Sequence, residues 1–279
     1  MNTEIFFQQF GLLADAPNGI AKLRELILQL AVQGKLVPQN PDDEPASVLL
    51  AKIKAEKEKL IKEGKIKKPK KLKAISPDEV PFELPEGWEW ERLCNLTRFI
   101  DYRGKTPVKE VSGVKLITAK NVRMGFIKDE PKEYISEKTY EQWMTRGFPK
   151  YGDLLFTIEA PLGNVAQLLY TEKIALAQRV INFQLFGDTC SAYLKYSLMS
   201  KALQDALREK STGMTAKGIK AAKLKLILIP LPPLTEQYRI VAKVNQLMTY
   251  CDELEAKLTQ SLSDKEKLMD TAVYQLLSA

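Results

Sequence analysis

Apolar residues near the start of the chain recur every three or four positions, which is the spacing of an amphipathic helix. This pattern predicts one helix over residues 20–32, with Gly34 after it as a stop signal, and a second helix from about Pro45 to Gly64. Residues 65–85 carry a lysine cluster and four prolines without any periodicity. We therefore expect a linker and a domain boundary in this stretch.

The pattern changes between residues 87 and 230, where short apolar segments are separated by Gly, Asn and Asp. Such segments are typical of β-strands. Between them, helical spacing predicts helices at residues 136–146 and 192–210. A mixed α/β domain of ordinary size is therefore expected. The predicted strands lie at residues 113–118, 153–158, 165–170, 180–186 and 224–231.

From residue 234 onward the helical period returns, and apolar residues alternate at intervals of four and three. That spacing forms the a/d seam of a coiled coil. Because one long helix cannot cover such a seam by itself, we expect a dimer or partner interface here, to which Leu26 and Leu30 of the first helix also belong. The predicted seam residues are Ile240, Val244, Leu247, Cys251, Leu254 and Leu258.

Together these patterns predict an α+β fold, in which one mixed α/β domain lies between long coiled-coil-forming helices. The central domain supplies loops on a rigid scaffold, and the helices supply surfaces for a partner. The expected divisions are a segment of two helices at 1–66, a linker at 67–86, the central domain at 87–233 and a long helix at 234–279.

Composition excludes several classes of protein. The chain contains no histidine, which rules out Ser-His-Asp and Cys-His catalysis and histidine–zinc sites. Its three cysteines lie far apart, so neither a disulfide framework nor a thiolate metal site is expected. No apolar run approaches the roughly 20 residues of a membrane helix, and the first fifteen residues lack the positive charge of a signal peptide. We therefore expect a cytoplasmic protein.

Motifs for catalysis are incomplete. Residues 103–106 read Arg-Gly-Lys-Thr, as the end of a phosphate-binding loop does, but Phe99 stands where the first glycine is required. A metal-dependent nuclease site could be assembled from Asp42, Glu63 and Lys65, although chance explains such a match in a segment rich in Lys and Glu. The glycine-rich turn and the Asn-Pro-Pro-Tyr-type motif of an adenine methyltransferase do not occur. We therefore expect no catalytic residue and no metal site.

The formal charge of +7 is unevenly distributed. Residues 48–73 contain eleven lysines against three glutamates, and residues 87–230 contain 23 basic against 15 acidic residues. Lysine runs are often only solvated, and arginines often form ordinary ion pairs, but loops rich in Arg, Lys, Asn, Gln and Thr also suit DNA recognition. The predicted DNA-contact residues are Lys105, Thr106, Lys120, Asn121, Arg123, Gln178, Arg179, Thr215, Lys217 and Lys220.

A series of short motifs in a fixed order resembles the specificity (S) subunit of type I restriction-modification systems. Each motif is weak by itself, whereas the order is specific, and the resemblance covers nearly the whole chain. The first motif is similar to the opening of that family's target recognition domain, and the last to the junction with its helical spacer. The motifs are Leu84–Trp90, Arg103–Pro107, Ile117–Asn121, Gly152–Thr157, Ala177–Arg179, Thr212–Thr215 and Pro230–Gln237.

The resemblance implies a double-stranded-DNA-binding protein that is not itself an enzyme. In this family two recognition domains each read half of a bipartite site, while the helices set the spacing and dock two adenine methyltransferase subunits. ATP-driven restriction subunits join in the full complex. The resemblance implies that S-adenosylmethionine and Mg-ATP belong to those partners, so no cofactor is expected in this chain.

The chain departs from the family pattern because it carries one recognition domain instead of two. Residues 23–30 are similar in type to residues 268–277, which suggests that two copies join head to tail as a homodimer that reads an interrupted palindrome. A fragment that pairs with a different half is one alternative. A coiled-coil adaptor without sequence-specific DNA recognition and a standalone nuclease are two others.

Overall fold

The computed structural model describes residues 18–69, 72–102, 106–177, 179–213 and 217–278. Long helices flank a central α/β region, as the predicted α+β class requires. The first two helices among these residues are α1 (Gly19–Val32) and α2 (Ala46–Lys62), which confirms both predictions to within two residues. No helix among the described residues is long and apolar enough to cross a bilayer.

The central region contains three small sheets. The strands are β1 (Glu89–Arg92), β2 (Thr97–Asp101), β3 (Val114–Ile117), β4 (Tyr134–Ile135), β5 (Leu154–Ile158), β6 (Leu162–Gln167), β7 (Ile174–Leu176), β8 (Val180–Leu185) and β9 (Leu228–Leu231). An antiparallel four-stranded sheet has the order β2-β8-β5-β6, and a three-stranded sheet has the order β4-β3-β7. Strands β1 and β9 pair antiparallel, so the start and the end of the region lie together.

The remaining helices lie between these strands, except for the long last helix, which follows β9. They are α3 (Leu93–Leu96), α4 (Glu137–Trp143), α5 (Ser191–Met199), α6 (Lys201–Lys210), α7 (Ala221–Leu224) and α8 (Leu234–Leu277). The predicted helix at 192–210 is two helices, because Ser200 adopts an extended backbone between them. Its hydroxyl donates to the carbonyl of Ser197 at 2.7 Å, and such side-chain competition for the backbone ends a helix.

Two predicted strands begin at different residues. The strand expected at 165–170 is β6, which begins earlier, at Leu162. Sequence periodicity missed this start because Asn164 is polar, yet its backbone N–H donates to the hydroxyl of Thr157 at 3.0 Å. The strand expected at 224–231 begins only at Leu228, since residues 221–224 form the short helix α7.

The four-stranded sheet is buried on both faces. Successive side chains of a strand point to opposite faces, and every residue of β5 is buried. Leu154, Phe156 and Ile158 belong to one apolar cluster with residues of α2, α5 and α6, whereas Leu155 belongs to a second cluster with β3 and β7. Core clusters therefore lie on both faces of the central strand, and the strands β2, β6 and β8 are partly exposed.

The long helix α8 packs along α1 of the same chain. Ile240, Val244 and Cys251 are fully buried in a cluster with apolar residues of α1 such as Leu23 and Ile27. These three seam residues were predicted to form an interface with another chain, and that part of the prediction is wrong because α1 already covers them. Leu247, Leu254 and Leu258 are only partly buried there, and Leu26 and Leu30 are half-exposed.

Polar contacts fix the beginning of α8. Glu236 is almost fully buried, and its two carboxylate oxygens accept from Trp88 Nε1 at 2.9 Å and from Gln39 Nε2 at 2.7 Å. Burial raises the pKa of the Glu236 carboxyl. One turn later, Arg239 forms two hydrogen bonds to Asp43, with Nη1–Oδ1 and Nη2–Oδ2 distances of 3.1 and 2.5 Å. We call these contacts the helix junction, and they tie α8 to the loop between α1 and α2 and to the segment before β1.

Asp43→Asn should lower the free energy of unfolding at pH 7 by about 1–2 kcal/mol, because it removes a two-hydrogen-bond ion pair. The Arg239 guanidinium holds the pKa of the Asp43 carboxyl below its usual range. The stabilisation is therefore complete at neutral pH and is lost as the pH falls through that lowered pKa, below about 4. Urea denaturation at pH 7 and pH 3 measures both effects.

Asp42→Asn is the matched control, because Asp42 is the exposed neighbouring acid. It should change the stability by no more than about 0.5 kcal/mol. Equal losses of stability in the two variants at pH 7 would show that the contact with Arg239 contributes nothing.

Candidate nucleic-acid interface

One end of the four-stranded sheet gathers loops from distant parts of the sequence. Asp101 at the end of β2 lies opposite Ile181 of β8, and Thr157 of β5 lies opposite Val180. Gly218 pairs with Glu159 just beyond β5, which adds the loop at residues 211–220 to the same end. Strands that end together bring their following loops together, so the tertiary fold assembles this surface from separate segments.

The end of the three-stranded sheet at which β3 stops lies beside these loops. Ala177 donates its N–H to the carbonyl of Ile117 at 3.1 Å, next to the loop that begins at Thr118. The side chain of Asn164 in β6 donates to the carbonyl of Val122 at 2.9 Å. We call the whole region the basic loop surface, and define it by Thr106, Lys120, Arg123, Glu159, Arg179, Lys217 and Lys220.

Arg179 has an unusual backbone on this surface. Its φ of 65° lies in the left-handed region that a non-glycine residue rarely adopts. Its carbonyl accepts from the N–H of Ile158 at 3.0 Å, which pins the residue to the end of β5. Its side chain is 51% exposed, and its Nε lies 4.0 Å from Oε2 of Glu159. The fold therefore holds an exposed guanidinium at a constrained position beside a carboxylate.

Glu159 is positioned by the loop that crosses it. The N–H of Ile219 donates to the carbonyl of Ile158 at 3.0 Å, and Gly218 forms the neighbouring bridge with Glu159. A Cβ atom at Gly218 would lie 3.3 Å from Cγ of Glu159, a tighter contact than most. Glycine at position 218 thus lets its loop approach Glu159 closely. Asp153 precedes β5 and Glu159 follows it, so the two carboxylates lie at opposite ends of the strand and cannot act together.

Asn121 does not reach the basic loop surface. It is completely buried, and its side-chain oxygen accepts from the N–H and the hydroxyl of Thr118, both at 3.1 Å. Its amide nitrogen donates to the carbonyls of Lys128 at 3.2 Å and Pro131 at 3.0 Å. The structure therefore does not support the predicted DNA contact of Asn121. The residue instead folds the loop so that Lys120 is exposed.

The other predicted contact residues divide into two groups. Lys105, Gln178 and Thr215 lie outside the described residues. Among the residues that the structure does describe, no carboxylate lies within 4.0 Å of the charged groups of four of the surface cations. Unneutralised cations on loops at the same end of a sheet produce a positive potential that favours a polyanion. The four are Lys120, Arg123, Lys217 and Lys220, and Thr106 is an exposed neighbour.

Arg146 is an exposed cation at this end that sequence reasoning missed. Its guanidinium donates to the carbonyl of Asp101, and its N–H donates to the hydroxyl of Tyr102 at 2.8 Å. The Tyr102 hydroxyl also donates to the carbonyl of Gly147 at 2.7 Å, and burial raises its pKa. No local signal marks Arg146, because its position depends on a contact between residues 44 positions apart.

The lysine-rich helix α2 lies at the opposite end of the sheet. Its Glu56 side chain accepts from the N–H of Gly187, just after β8 ends. Its Lys57 donates to the carbonyl of Cys94 at 3.2 Å and to Oδ1 of Asn95 at 3.0 Å, and burial lowers its pKa. The greatest concentration of charge in the sequence is therefore separate from the basic loop surface.

The family model of the type I restriction modification DNA specificity domain matches residues 85–264. The chain belongs to this family. The specificity-domain match extends from just before Trp88, through all the strands and the basic loop surface, into α8. It therefore includes both Trp88 and Glu236 of the helix junction.

Among the described residues, no group of three His, Cys, Asp or Glu side chains is arranged to hold a metal ion.

Two curated relatives from Escherichia coli match almost the whole chain. The type I restriction enzyme EcoAI specificity subunit is 36% identical over 95% of this chain and 47% of its own length. The EcoEI specificity subunit is 33% identical over 94% of this chain and 46% of its own length. The present chain thus spans about half the length of these specificity-domain relatives.

A similar fold occurs in a solved chain from a study of the complex assembly and conformational transition of the type I R-M system. Its TM-score is 0.53 with 20% sequence identity, and the match covers 89% of this chain and 55% of that one. At this identity the likeness concerns the fold alone.

Asn121→Ala should lower the free energy of unfolding by roughly 2–3 kcal/mol, because it leaves buried carbonyl and N–H groups without partners. Lys120→Ala, the control in the same loop, should change it by no more than about 0.5 kcal/mol because the side chain is exposed. Thermal and urea unfolding of both variants measure the difference. Equal effects would mean that Asn121 does not organise the loop.

Proposed function

We propose that this chain is a non-catalytic specificity subunit of a type I restriction-modification complex, which reads one half of a bipartite DNA target with the basic loop surface. The observation that carries the proposal is the convergence of exposed cations on loops at one end of a sheet, within the residues that match the specificity-domain family. Arg179 is suited to read a base edge, and the lysines are suited to hold phosphates.

The physical setting supports this assignment. The sheet beneath the loops is buried on both faces, which makes it a rigid support for side chains at its end. Arginine binds O6 and N7 of guanine with two hydrogen bonds, whereas lysine binds phosphate as a point charge. A surface with both residue types thus supplies both affinity and base recognition.

Arg179→Ala and Lys220→Ala should affect DNA binding in different ways. Loss of Arg179 should cost roughly 1–3 kcal/mol at one base position and relax the preference there. Loss of Lys220 should weaken binding to all sequences and reduce the magnitude of the salt slope by about one. Competition assays with single-base variants of the selected site, at several salt concentrations, measure both.

The two variants serve as controls for each other, since each removes one exposed cation from the same surface. If Arg179→Ala weakened all sequences equally, Arg179 would be a phosphate contact. If the unmodified chain preferred no sequence at all, the proposed function would fail, and the coiled-coil adaptor would become the better assignment.

We further propose that a second copy of this chain supplies the missing half. Beyond Leu258 the helix α8 carries apolar residues that are between 49% and 83% exposed, and these lie past the part of the helix that α1 covers. The chain spans about half the length of its curated relatives, so a second copy supplies the expected remainder. The exposed residues are Leu262, Leu268, Met269, Val273, Leu276 and Leu277.

Such a homodimer would hold two recognition surfaces at a fixed separation and dock adenine methyltransferase subunits, with restriction subunits added in the full complex. S-adenosylmethionine and Mg-ATP would be bound by those subunits. Because a two-fold axis repeats the same contacts on the other strand, the target would be an interrupted palindrome.

Leu268→Glu should convert a dimer into a monomer, because it places a charge in the apolar strip that the two copies would bury. Sedimentation equilibrium of the purified chain measures the change. Lys267→Glu is the control for an added carboxylate at the adjacent exposed position, and it should leave the dimer intact. A monomeric unmodified chain would contradict self-association.

Mapping of methylated adenines after co-expression with the candidate methyltransferase tests the symmetry of the target. We expect one interrupted palindrome from the unmodified chain and its loss in Leu268→Glu. An interrupted but asymmetric motif would mean that a different half-subunit completes the complex. A stable complex that methylates nothing would favour the adaptor.

A further inference from the structure

Glu159 is an acid placed on a surface that is otherwise suited to phosphates. Its side chain is 42% exposed and lies 4.0 Å from Arg179. A carboxylate at such a place opposes the binding of any polyanion, because it repels phosphates in every sequence. An exposed ion pair of this kind contributes little to stability. Neither general affinity nor folding therefore accounts for the position of Glu159.

The geometry of the pair suits base recognition. Nε is the guanidinium atom nearest the carboxylate, and the 4.0 Å separation is too long for a direct hydrogen bond. A carboxylate on the Nε side of the guanidinium leaves the two terminal nitrogens of Arg179 available. These two nitrogens form the fork of donors that guanine O6 and N7 accept. The constrained backbone of Arg179, which is hydrogen-bonded to Ile158, limits where that fork can point.

Glu159 can also contact a base directly. A carboxylate accepts a hydrogen bond from the N4 amino group of cytosine, which guanine and thymine lack at the equivalent position. Glu159 follows β5 and Arg179 precedes β8, and these strands are neighbours in the sheet. Neighbouring strands lie about 4.8 Å apart, which is comparable to the spacing of about 3.4 Å between stacked base pairs. Both side chains can thus address the same or adjacent base pairs.

We propose that Glu159 and Arg179 act as a coupled pair of specificity-determining residues. The carboxylate positions the guanidinium for guanine and lowers the affinity for every sequence, a loss that is offset only where Arg179 finds that base. Discrimination between sequences is a difference of two affinities, so weaker binding to wrong sites raises it as much as tighter binding to the right one. This inference rests on the proposed DNA-binding function.

Glu159→Gln tests the pair because it removes the charge while keeping the size of the side chain. We expect it to tighten binding to random DNA several-fold and to reduce discrimination at one base pair by roughly tenfold. Arg179→Lys should reduce discrimination at the same base pair, since lysine lacks the fork. Because the two residues act together, the double variant should lose less than the product of the two single losses.

The control is Glu253→Gln, which makes the same charge change at an exposed residue of α8. It should alter neither random-DNA affinity nor base preference beyond experimental error. The measurement is selection of the preferred site by the whole chain from a random DNA pool, followed by competition with every single-base variant. Thermal melting of each variant verifies that the fold is intact.

The outcomes separate the inference from the proposed function. If the unmodified chain prefers no sequence, the proposed function fails. If it discriminates between sequences but Glu159→Gln changes affinity for all of them equally, the function stands and the inference is overturned. Loss of preference at a base pair that Arg179→Lys does not affect would also overturn the coupling.

Discussion

The attachment of the 44-residue helix α8 is the constraint on which the rest of the structure depends. A helix of this length has an apolar face that must be covered, and α1 covers it only as far as the region of Leu258. The helix junction fixes where α8 begins, because the buried Glu236 joins it to Trp88 and Gln39. Pairing of β1 with β9 then fixes the central region relative to the same point.

Packing around the four-stranded sheet leaves one of its ends open. Helices α2, α5 and α6 cover one face, and β3 and β7 cover the other. The end near Gly187 is occupied by α2. The opposite end, where β5 stops and β8 starts, is the part of the sheet at which loops remain open to a ligand. Its residues come from segments more than a hundred positions apart, from Asp101 to Lys220.

Regular elements with strong periodicity were predictable from the sequence. The boundaries of α1, α2, β5 and α8 agree with the structure to within two residues, because a repeated apolar spacing marks the helices and a run of apolar residues marks β5. Strands β2 and β7 escaped prediction, since polar residues interrupt β2 and β7 has only three residues. Ser200 and Asn164 show a second cause, in which side-chain hydrogen bonds override the local pattern.

The candidate site was predictable in residue type but not in geometry. Basic residues in glycine-flanked loops indicated segments that the fold brings to one end of the sheet, yet Asn121 has the same polar character and is buried. Only tertiary contacts identify Glu159 and Arg146 as candidate site residues. The seam illustrates the same limit, because periodicity predicted that Val244 needs a partner helix without identifying α1 as that helix.

The uncovered end of α8 matters for DNA affinity in the proposed homodimer, because a second copy docked there would add a second recognition surface. A single surface with a handful of phosphate and base contacts binds weakly at physiological salt, because counterion release is lost as salt rises. A rigid link to a second surface makes the second contact intramolecular, which multiplies affinity without any new kind of contact. A helix of this length spans about 66 Å, so in the proposed homodimer its rigidity would set one separation between half-sites and reject others. In that proposal the long helix and the basic loop surface act together, and the helix contributes to specificity through distance.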